Sequence, residues 1–177
     1  NINKKKLFFS KLLTLYNKTI PQNLKRYVFI HSYLRNSDIF KLQIALGQLP
    51  CLFNSYIDKF PEYHIDEKLR KKISFQESTD EFEILLNELL PFQIPFLYLE
   101  GYKEYNNMID KKFPKKPDLI FTANASISIE AFKFWAAQQS ENGAKLVLTQ
   151  HGGHHGMGLW SAELKHEIAI SDIYFTW

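Results

Sequence analysis

The segment TQHGGHHGMGLW, residues 149–160, concentrates residue types that could do chemistry. It holds four of the seven glycines and three of the six histidines in the chain. Glycine lets the backbone turn tightly or approach a ligand closely, and imidazole is the side chain that titrates nearest neutrality. A glycine-rich turn at a strand end also presents N–H groups to a phosphate or an oxyanion. The clustering favours a functional site over a tight turn whose histidines bond backbone carbonyls.

Two carboxylates stand out by their surroundings. Asp172 lies in IAISDIYF, inside an otherwise apolar run that reads as a strand. A buried acid is costly unless it is paired or hydrogen-bonded, so this position favours a functional or networked side chain. Glu100 lies in LYLEGY, where a solvated helix residue is the more ordinary interpretation.

Metal binding is an alternative use of the same residues. Four histidines and two acids near the C-terminal end supply nitrogen and oxygen ligands for zinc or manganese: His151, His154, His155, His166, Glu167 and Asp172. However, no HExxH pattern is present, and adjacent histidines on a loop usually point apart. We therefore predict no bound metal and keep a metal-dependent hydrolase as the alternative.

The elements around these residues follow a β-α-β order. PDLIFTA (117–123) and KLVLTQ (145–150) read as buried strands, the segment between them as a helix ended by Gly143, and HEIAISDIYFTW (166–177) as a third strand. This order predicts an α/β fold, a Rossmann-like parallel sheet with covering helices. Ligands of such sheets bind beyond the carboxyl ends of the strands, so the loop at 149–160 and Asn124 should face one crevice. We also expect Asp172 to reach the same pocket.

The rest of the chain is less regular. Residues 5–18 read as a helix, 26–34 as a short strand and 37–49 as a helix capped by Ser37. A capping box of Ser78 and Glu81 opens a helix that Pro91 should end, and a further helical stretch runs to Pro114. Residues 1–77 are assigned only as a mixed helical and loop portion.

Composition limits the function classes. A chain of 177 residues suits one domain, and a net charge of +3 is too small to indicate nucleic-acid binding. The single cysteine excludes an internal disulfide, and no run approaches eighteen apolar residues. We expect a cytoplasmic protein. The basic Lys4–Lys6 segment is typical of a solvated helix end, and peripheral contact with the acidic surface of the inner membrane is the alternative. The start at Asn1 and the end at Trp177 within an apolar run suggest a fragment.

The motifs of the C-terminal half resemble those of a known family. The stretch DLIFTANASISIEAFKFWAAQQSENGAKLVLTQHGGHHGMGLW, followed by HEIAISDIYFTW, resembles a bacterial family of transferases of surface-carbohydrate assembly. That family is linked to O-antigen loci and was first labelled from a Leptospira member. The resemblance spans roughly residues 78–177, and His155 stands where the family usually has Tyr.

The resemblance implies a function and a site. The family looks like two-domain glycosyltransferases of the GT-B architecture, so this chain would be the N-terminal, acceptor-side domain, without the C-terminal domain that holds the nucleotide-sugar donor. A more distant similarity to retaining Kdo transferases, which use CMP-Kdo, implies catalytic roles for Asp172, Glu100 and His151. The implied substrate-binding residues are Gln150, Gly152, Gly153, His154, Asn124 and Glu167.

The implied partners follow from the same resemblance. A glycan acceptor and a nucleotide-sugar would be substrates, and no cofactor would be bound by this domain. A non-catalytic carbohydrate-binding domain is the other alternative to the transferase.

Overall fold

The computed structural model describes residues 12, 15–53, 57, 64–73, 79–152 and 155–176. The chain divides into two compact units. Unit 1 comprises Asn1–Tyr56 and Ile109–Trp177, and unit 2 comprises Ile57–Met108.

The strands of unit 1 form one parallel sheet. They are β1 (Tyr27–Phe29), β2 (Leu119–Thr122), β3 (Lys145–Thr149) and β4 (Ile173–Phe175), in the order β1-β2-β3-β4. All three neighbouring pairs are parallel. β2 and β3 are the buried apolar runs that the sequence predicts, since parallel strands are covered on both faces. The predicted α/β, Rossmann-like fold is confirmed.

The helices with described bounds are named in chain order. They are α1 (Asn36–Ala45), α2 (Glu67–Arg70), α3 (Glu81–Gln93), α4 (Tyr102–Lys112), α5 (Ala125–Ser128), α6 (Glu130–Glu141) and α7 (Ala162–Ile170). The predicted helix at 5–18 lies mostly outside the described residues, although 15–19 are helical.

The core of unit 1 lies between the sheet and α6. Trp135 is 1% exposed, and its Nε1 donates a hydrogen bond to the carbonyl of Pro114 at 2.9 Å. It packs against the rings of Phe113 and Phe132, with centroids 5.1 and 6.0 Å away. An indole buried with its N–H bonded adds apolar contact without an unsatisfied donor. α6 ends before Gly143, which adopts φ +95°, as the sequence predicts.

Unit 2 is helical where it is described. Asp80 caps α3, because its carboxylate accepts hydrogen bonds from the backbone N–H groups of Phe82 and Glu83. The predicted cap Ser78 lies outside the described residues. Pro91 does not end the helix, which continues to Gln93. A 3-10 turn at Phe96–Tyr98 then precedes α4, which starts just after Gly101.

One predicted element is wrong. The segment 166–177 is not a single strand, since α7 continues to Ile170 and β4 begins only at Ile173. Ser161 caps α7 by accepting a hydrogen bond from the N–H of Leu164. Ala, Glu, Leu and Lys in its first turns are good helix formers. The consecutive apolar residues 168–170, which precede the apolar β4, were therefore a misleading signal for a strand.

Two details of the first half also differ from the sequence prediction. The strand predicted at 26–34 is the shorter β1. The helix predicted from Ser37 is α1, but its N-cap is Arg35, without a side-chain hydrogen bond. Within the described residues, no helix has the length and apolar character needed to cross a membrane.

Candidate active site

Loops of unit 1 meet at the carboxyl edge of the sheet. β1 leads into His31 and Tyr33, which adopt φ +48° and +60°. Such conformations are costly for residues other than glycine and are concentrated at functional sites. β2 leads into Asn124, and β3 leads into His151. The predicted common position of Asn124 and the histidine loop at one sheet edge follows from this topology.

Four side chains of this edge form a buried network, here called the His–Glu cluster: His151, His155, Glu167 and Tyr174. Glu167 is 0% exposed, and its Oε1 lies 3.0 Å from Nε2 of His151 in a hydrogen bond. The ring centroids of His151 and His155 are 4.6 Å apart. One ligand atom from each of His151, His155 and Glu167 lies within 4.8 Å of the other two.

Tyr174 joins the second imidazole to the carboxylate. Its hydroxyl donates a hydrogen bond to Oε2 of Glu167 at 3.1 Å and lies 3.1 Å from Nδ1 of His155. A hydroxyl has one hydrogen, so its oxygen accepts from the Nδ1–H of His155. Burial, followed by the nearby charge of Glu167, raises the pKa of Tyr174 to about 12. Tyr174 is therefore a hydrogen-bond donor at neutral pH.

α7 places two acids toward the histidine loop. Glu163 and Glu167 are four residues apart, so they lie on one face of the helix. Oε1 of Glu163 is 3.6 Å from Nε2 of His151, and the side chain is 36% exposed. The buried Glu167 thus orients the His151 ring, and the part-exposed Glu163 lies close to the same ring nitrogen.

Gln150 holds the loop that carries the histidines. Its backbone N–H donates to the carbonyl of Phe175 at 2.8 Å. Its side-chain Nε2 donates to the carbonyls of Gly152 and His155, at 3.1 and 3.4 Å. Gly156 adopts φ +80°, which favours glycine. Gln150 and Gly152 therefore shape the loop, and the neighbouring Gly153 and His154 lie outside the described residues.

A cavity of about 970 Å³ lies between α5–α6 and α7. Apolar side chains form much of its lining, including Phe132, Leu146 and Ile170. Ser126, 5% exposed, and Ser140 contribute hydroxyls that are buried and, within the described part of the chain, have no hydrogen-bond partner. Glu163 also lines this cavity. The cavity therefore adjoins the His–Glu cluster through Glu163.

Asn124 lies between the loops after β1 and β2. Its Nδ2 donates a hydrogen bond to the hydroxyl of Tyr33 at 2.8 Å. Within the described residues, its buried Oδ1 accepts no hydrogen bond. The next turn is fixed by Thr122, whose Oγ1 accepts from the N–H of Ala125. A polar oxygen is thus available at the sheet edge where substrate binding is predicted.

Asp172 does not lie with the histidine loop, and the expected convergence is wrong. It precedes β4 rather than standing inside the strand, and its carboxylate bonds Nζ of Lys145 at 2.7 Å and the N–H of Leu146 at 2.9 Å. These partners belong to the amino end of β3, about 13 Å of strand from Thr149. The Lys145 hydrogen bond, followed by that of Leu146, lowers the pKa of Asp172. The geometry favours an ionic tether between the starts of β3 and β4 over the predicted catalytic role.

Glu100 belongs to unit 2, where it pairs with Arg70. Its two carboxylate oxygens accept from Nε and Nη2 of Arg70 at 2.6 and 2.8 Å, and one also accepts from the N–H of Asp66. The arginine hydrogen bond lowers the pKa of Glu100 to about 2. A carboxylate held so firmly ionised favours a structural role over proton transfer. Its predicted catalytic role remains untested.

Sequence reasoning did not select two members of the cluster. Tyr174 was not singled out, and His155 was weighed only as a metal ligand. A usable signal for Tyr174 was its place in Ile173–Phe175, where it alternates with two apolar residues and so points to the other face of the sheet. The four-residue spacing of Glu163 and Glu167 would have been informative once α7 was recognised.

A parallel α/β sheet with a polar cluster beyond the carboxyl end of a strand is an arrangement that many enzymes use to bind substrates. The family model described as "LIC12162 family transferase" matches residues 1–177, and the chain belongs to that family of transferases. The match extends beyond the resemblance at 78–177. No curated protein and no solved structure gives a significant match.

Proposed function

We propose that the chain is part of a glycosyltransferase of bacterial surface-polysaccharide assembly. It would move a sugar from a nucleotide-sugar donor to a glycan acceptor in O-antigen, lipopolysaccharide or capsule synthesis. Support comes from the transferase family and from the motif resemblance. The observation that carries the proposal is the hydrogen bond of His151 to the buried Glu167 at the carboxyl edge of the sheet.

The reaction places a defined demand on this site. The bond between the anomeric carbon and the donor phosphate oxygen breaks, and its electron pair remains on the phosphate. An acceptor hydroxyl oxygen forms the new bond to the anomeric carbon, and its proton passes to the departing phosphate. Hydrogen-bond donors fixed before reaction stabilise the charge that develops on the leaving phosphate. We assign this task to the His151 ring, oriented by Glu167, and to backbone N–H groups of the glycine-rich loop.

The acceptor would bind in the adjoining cavity. Its volume of about 970 Å³ is within the usual range for ligand sites. The buried hydroxyls of Ser126 and Ser140 have no hydrogen-bond partner among the described residues. Hydroxyl groups of a bound sugar would supply the partners that buried polar groups need. Asn124 would contribute its amide oxygen at the same sheet edge.

CMP-Kdo is the first donor to test, on the basis of the distant similarity to Kdo transferases. A carboxylate on the sugar would add a second anion for the imidazoles and N–H groups to hold. In this proposal a second, donor-binding domain completes the enzyme, which acts in the cytoplasm and contacts the inner membrane peripherally.

The test is a transfer assay on the full-length gene product. CMP-Kdo and a panel of UDP- and GDP-sugars are incubated with a lipopolysaccharide acceptor, and products are identified by mass spectrometry. We expect a glycan one sugar heavier and its loss in His151→Ala. Donor cleavage without an acceptor product would instead indicate a hydrolase. Saturable sugar binding without any turnover would indicate a non-catalytic carbohydrate-binding domain.

A further inference from the structure

We propose that His151, His155 and Glu167 form a binding site for a divalent transition metal such as zinc. The inference concerns the same cluster as the proposed function but does not depend on sugar transfer. Two imidazoles and one carboxylate are a ligand set that zinc uses in catalytic sites, where a fourth position stays open.

The ligand atoms already lie near the spacing that a metal would impose. Metal–ligand distances of about 2.0–2.2 Å put two ligands of a tetrahedral zinc about 3.4 Å apart. Nε2 of His151 is 3.0 Å from Oε1 of Glu167, and Nδ1 of His155 is 3.8 Å from Oε2. Each distance therefore differs from that spacing by about 0.4 Å. One ligand atom from each of the three residues lies within 4.8 Å of the other two, so the side chains would move closer together around the ion.

The charge of the site favours a cation. Glu167 is 0% exposed, and the ion-pair partners described for it are both imidazoles. Neither is a permanent positive charge, whereas a buried carboxylate needs strong compensation for the water it has lost. A divalent ion bound between the two imidazoles and the carboxylate would supply this compensating charge, and its binding would release the protons that now bridge these groups.

The surroundings support the ligands and leave one side open. Tyr174 donates to Oε2 of Glu167, and Gln150 fixes the loop through the carbonyl of His155. Such outer hydrogen bonds orient metal ligands. On the other side of His151, the part-exposed Glu163 lines the large cavity. A fourth ligand, from Glu163, water or substrate, can approach from there.

The test measures metal retention by the purified protein rather than turnover. The protein is stripped with a chelator, titrated with Zn²⁺ or Co²⁺, desalted and analysed for bound metal, with the visible spectrum of Co²⁺ reporting coordination. We expect one ion per chain and a tetrahedral Co²⁺ spectrum. His155→Ala should weaken affinity by more than the roughly 10–100-fold typical of a lost outer-shell partner, and Tyr174→Phe by about that amount.

His64→Ala is the control, since this exposed histidine belongs to unit 2 and not to the cluster or its cavity. It should bind metal like the wild type. Because His155→Ala could unfold the loop, His151→Ala is measured in parallel, and both are checked by circular dichroism. Absence of stoichiometric binding, or equal affinity in the folded ligand variants and the control, would overturn the proposal. Neither result would bear on whether the protein transfers sugars.

Discussion

His151 and Glu167 are hydrogen-bonded, Nε2 to Oε1 at 3.0 Å, although they come from a loop and a helix sixteen residues apart. The acid is completely buried and the imidazole is 12% exposed. This contact links the glycine-rich loop after β3 to α7. At the carboxyl edge of the sheet, the buried Glu167 therefore orients the partly exposed imidazole of His151.

Tyr174→Phe should destabilise the protein by about 1–3 kcal/mol, because an oxygen of the buried Glu167 loses its donor. The raised pKa gives a second signature. The unfolded state releases the phenolic proton near pH 10, whereas the folded state holds it until about pH 12. The stability contributed by protonated Tyr174 is therefore lost as pH rises through that window. The free energy of unfolding, measured for both proteins at a series of pH values from 8 to 12, reports the loss of stability and its dependence on pH.

Tyr16→Phe is the control for this variant, since Tyr16 is 40% exposed. It should leave both the stability at pH 8 and its alkaline decline nearly unchanged. Equal effects of the two substitutions would show that the Tyr174 hydroxyl does not support Glu167.

Glu100→Gln should lower the melting temperature by roughly 10 °C at pH 7, because it leaves Arg70 without its paired charge. The folded-state pKa of Glu100 is depressed from 4.5 to about 2. Its stabilisation is thus complete above pH 4.5 and is lost as pH falls toward 2. The difference between variant and wild type should narrow over that range in a calorimetric pH series.

The part-exposed ion pair of Glu130 and Lys133 provides the comparison, with side chains 36% and 35% exposed. Glu130→Gln should change stability by less than about 1 kcal/mol. If Glu100→Gln melted like the wild type yet lost activity, the structural role of Glu100 would be refuted in favour of a catalytic one.

Ser126→Ala should stabilise the free protein by about 1 kcal/mol, since it removes a buried hydroxyl that has no partner within the described residues. The same change should raise the KM for the acceptor if that hydroxyl bonds the sugar. Ser128→Ala, on the same short helix, is the control because Ser128 is exposed and donates to the carbonyl of Asn124. Calorimetry measures the change in stability, and initial rates measure the change in KM for the acceptor. A Ser126→Ala protein with lower stability and unchanged KM would contradict both expectations.

The sheet could be predicted where local sequence decides structure. β2 and β3 are short apolar runs with turn residues at their ends, so their burial and order could be inferred. α7 could not, because a nine-residue helix depends on packing and on its Ser161 cap, and its last three residues form one apolar run with β4 in the sequence. Because α7 was predicted as a strand, Asp172 was predicted to lie within that strand and near the histidine loop, whereas it lies at the amino end of β3.

The partners of the charged residues were harder to foresee. Glu100 reads as a solvated helix residue until Arg70, thirty residues away, is seen to hold it. The histidine loop was recognised from composition, but its pairing with Glu167 depends on how α7 packs. Residue type therefore predicted where chemistry could occur, and only the fold selected which groups meet.

The most direct test of the central claim compares Glu167→Gln with Asp172→Asn in the transfer assay, with both variants shown to be folded. A site at the carboxyl edge predicts that Glu167→Gln lowers kcat/KM by at least about 100-fold, while Asp172→Asn retains it within a few-fold. The reverse pattern, with Asp172→Asn inactive and Glu167→Gln active, would contradict the account.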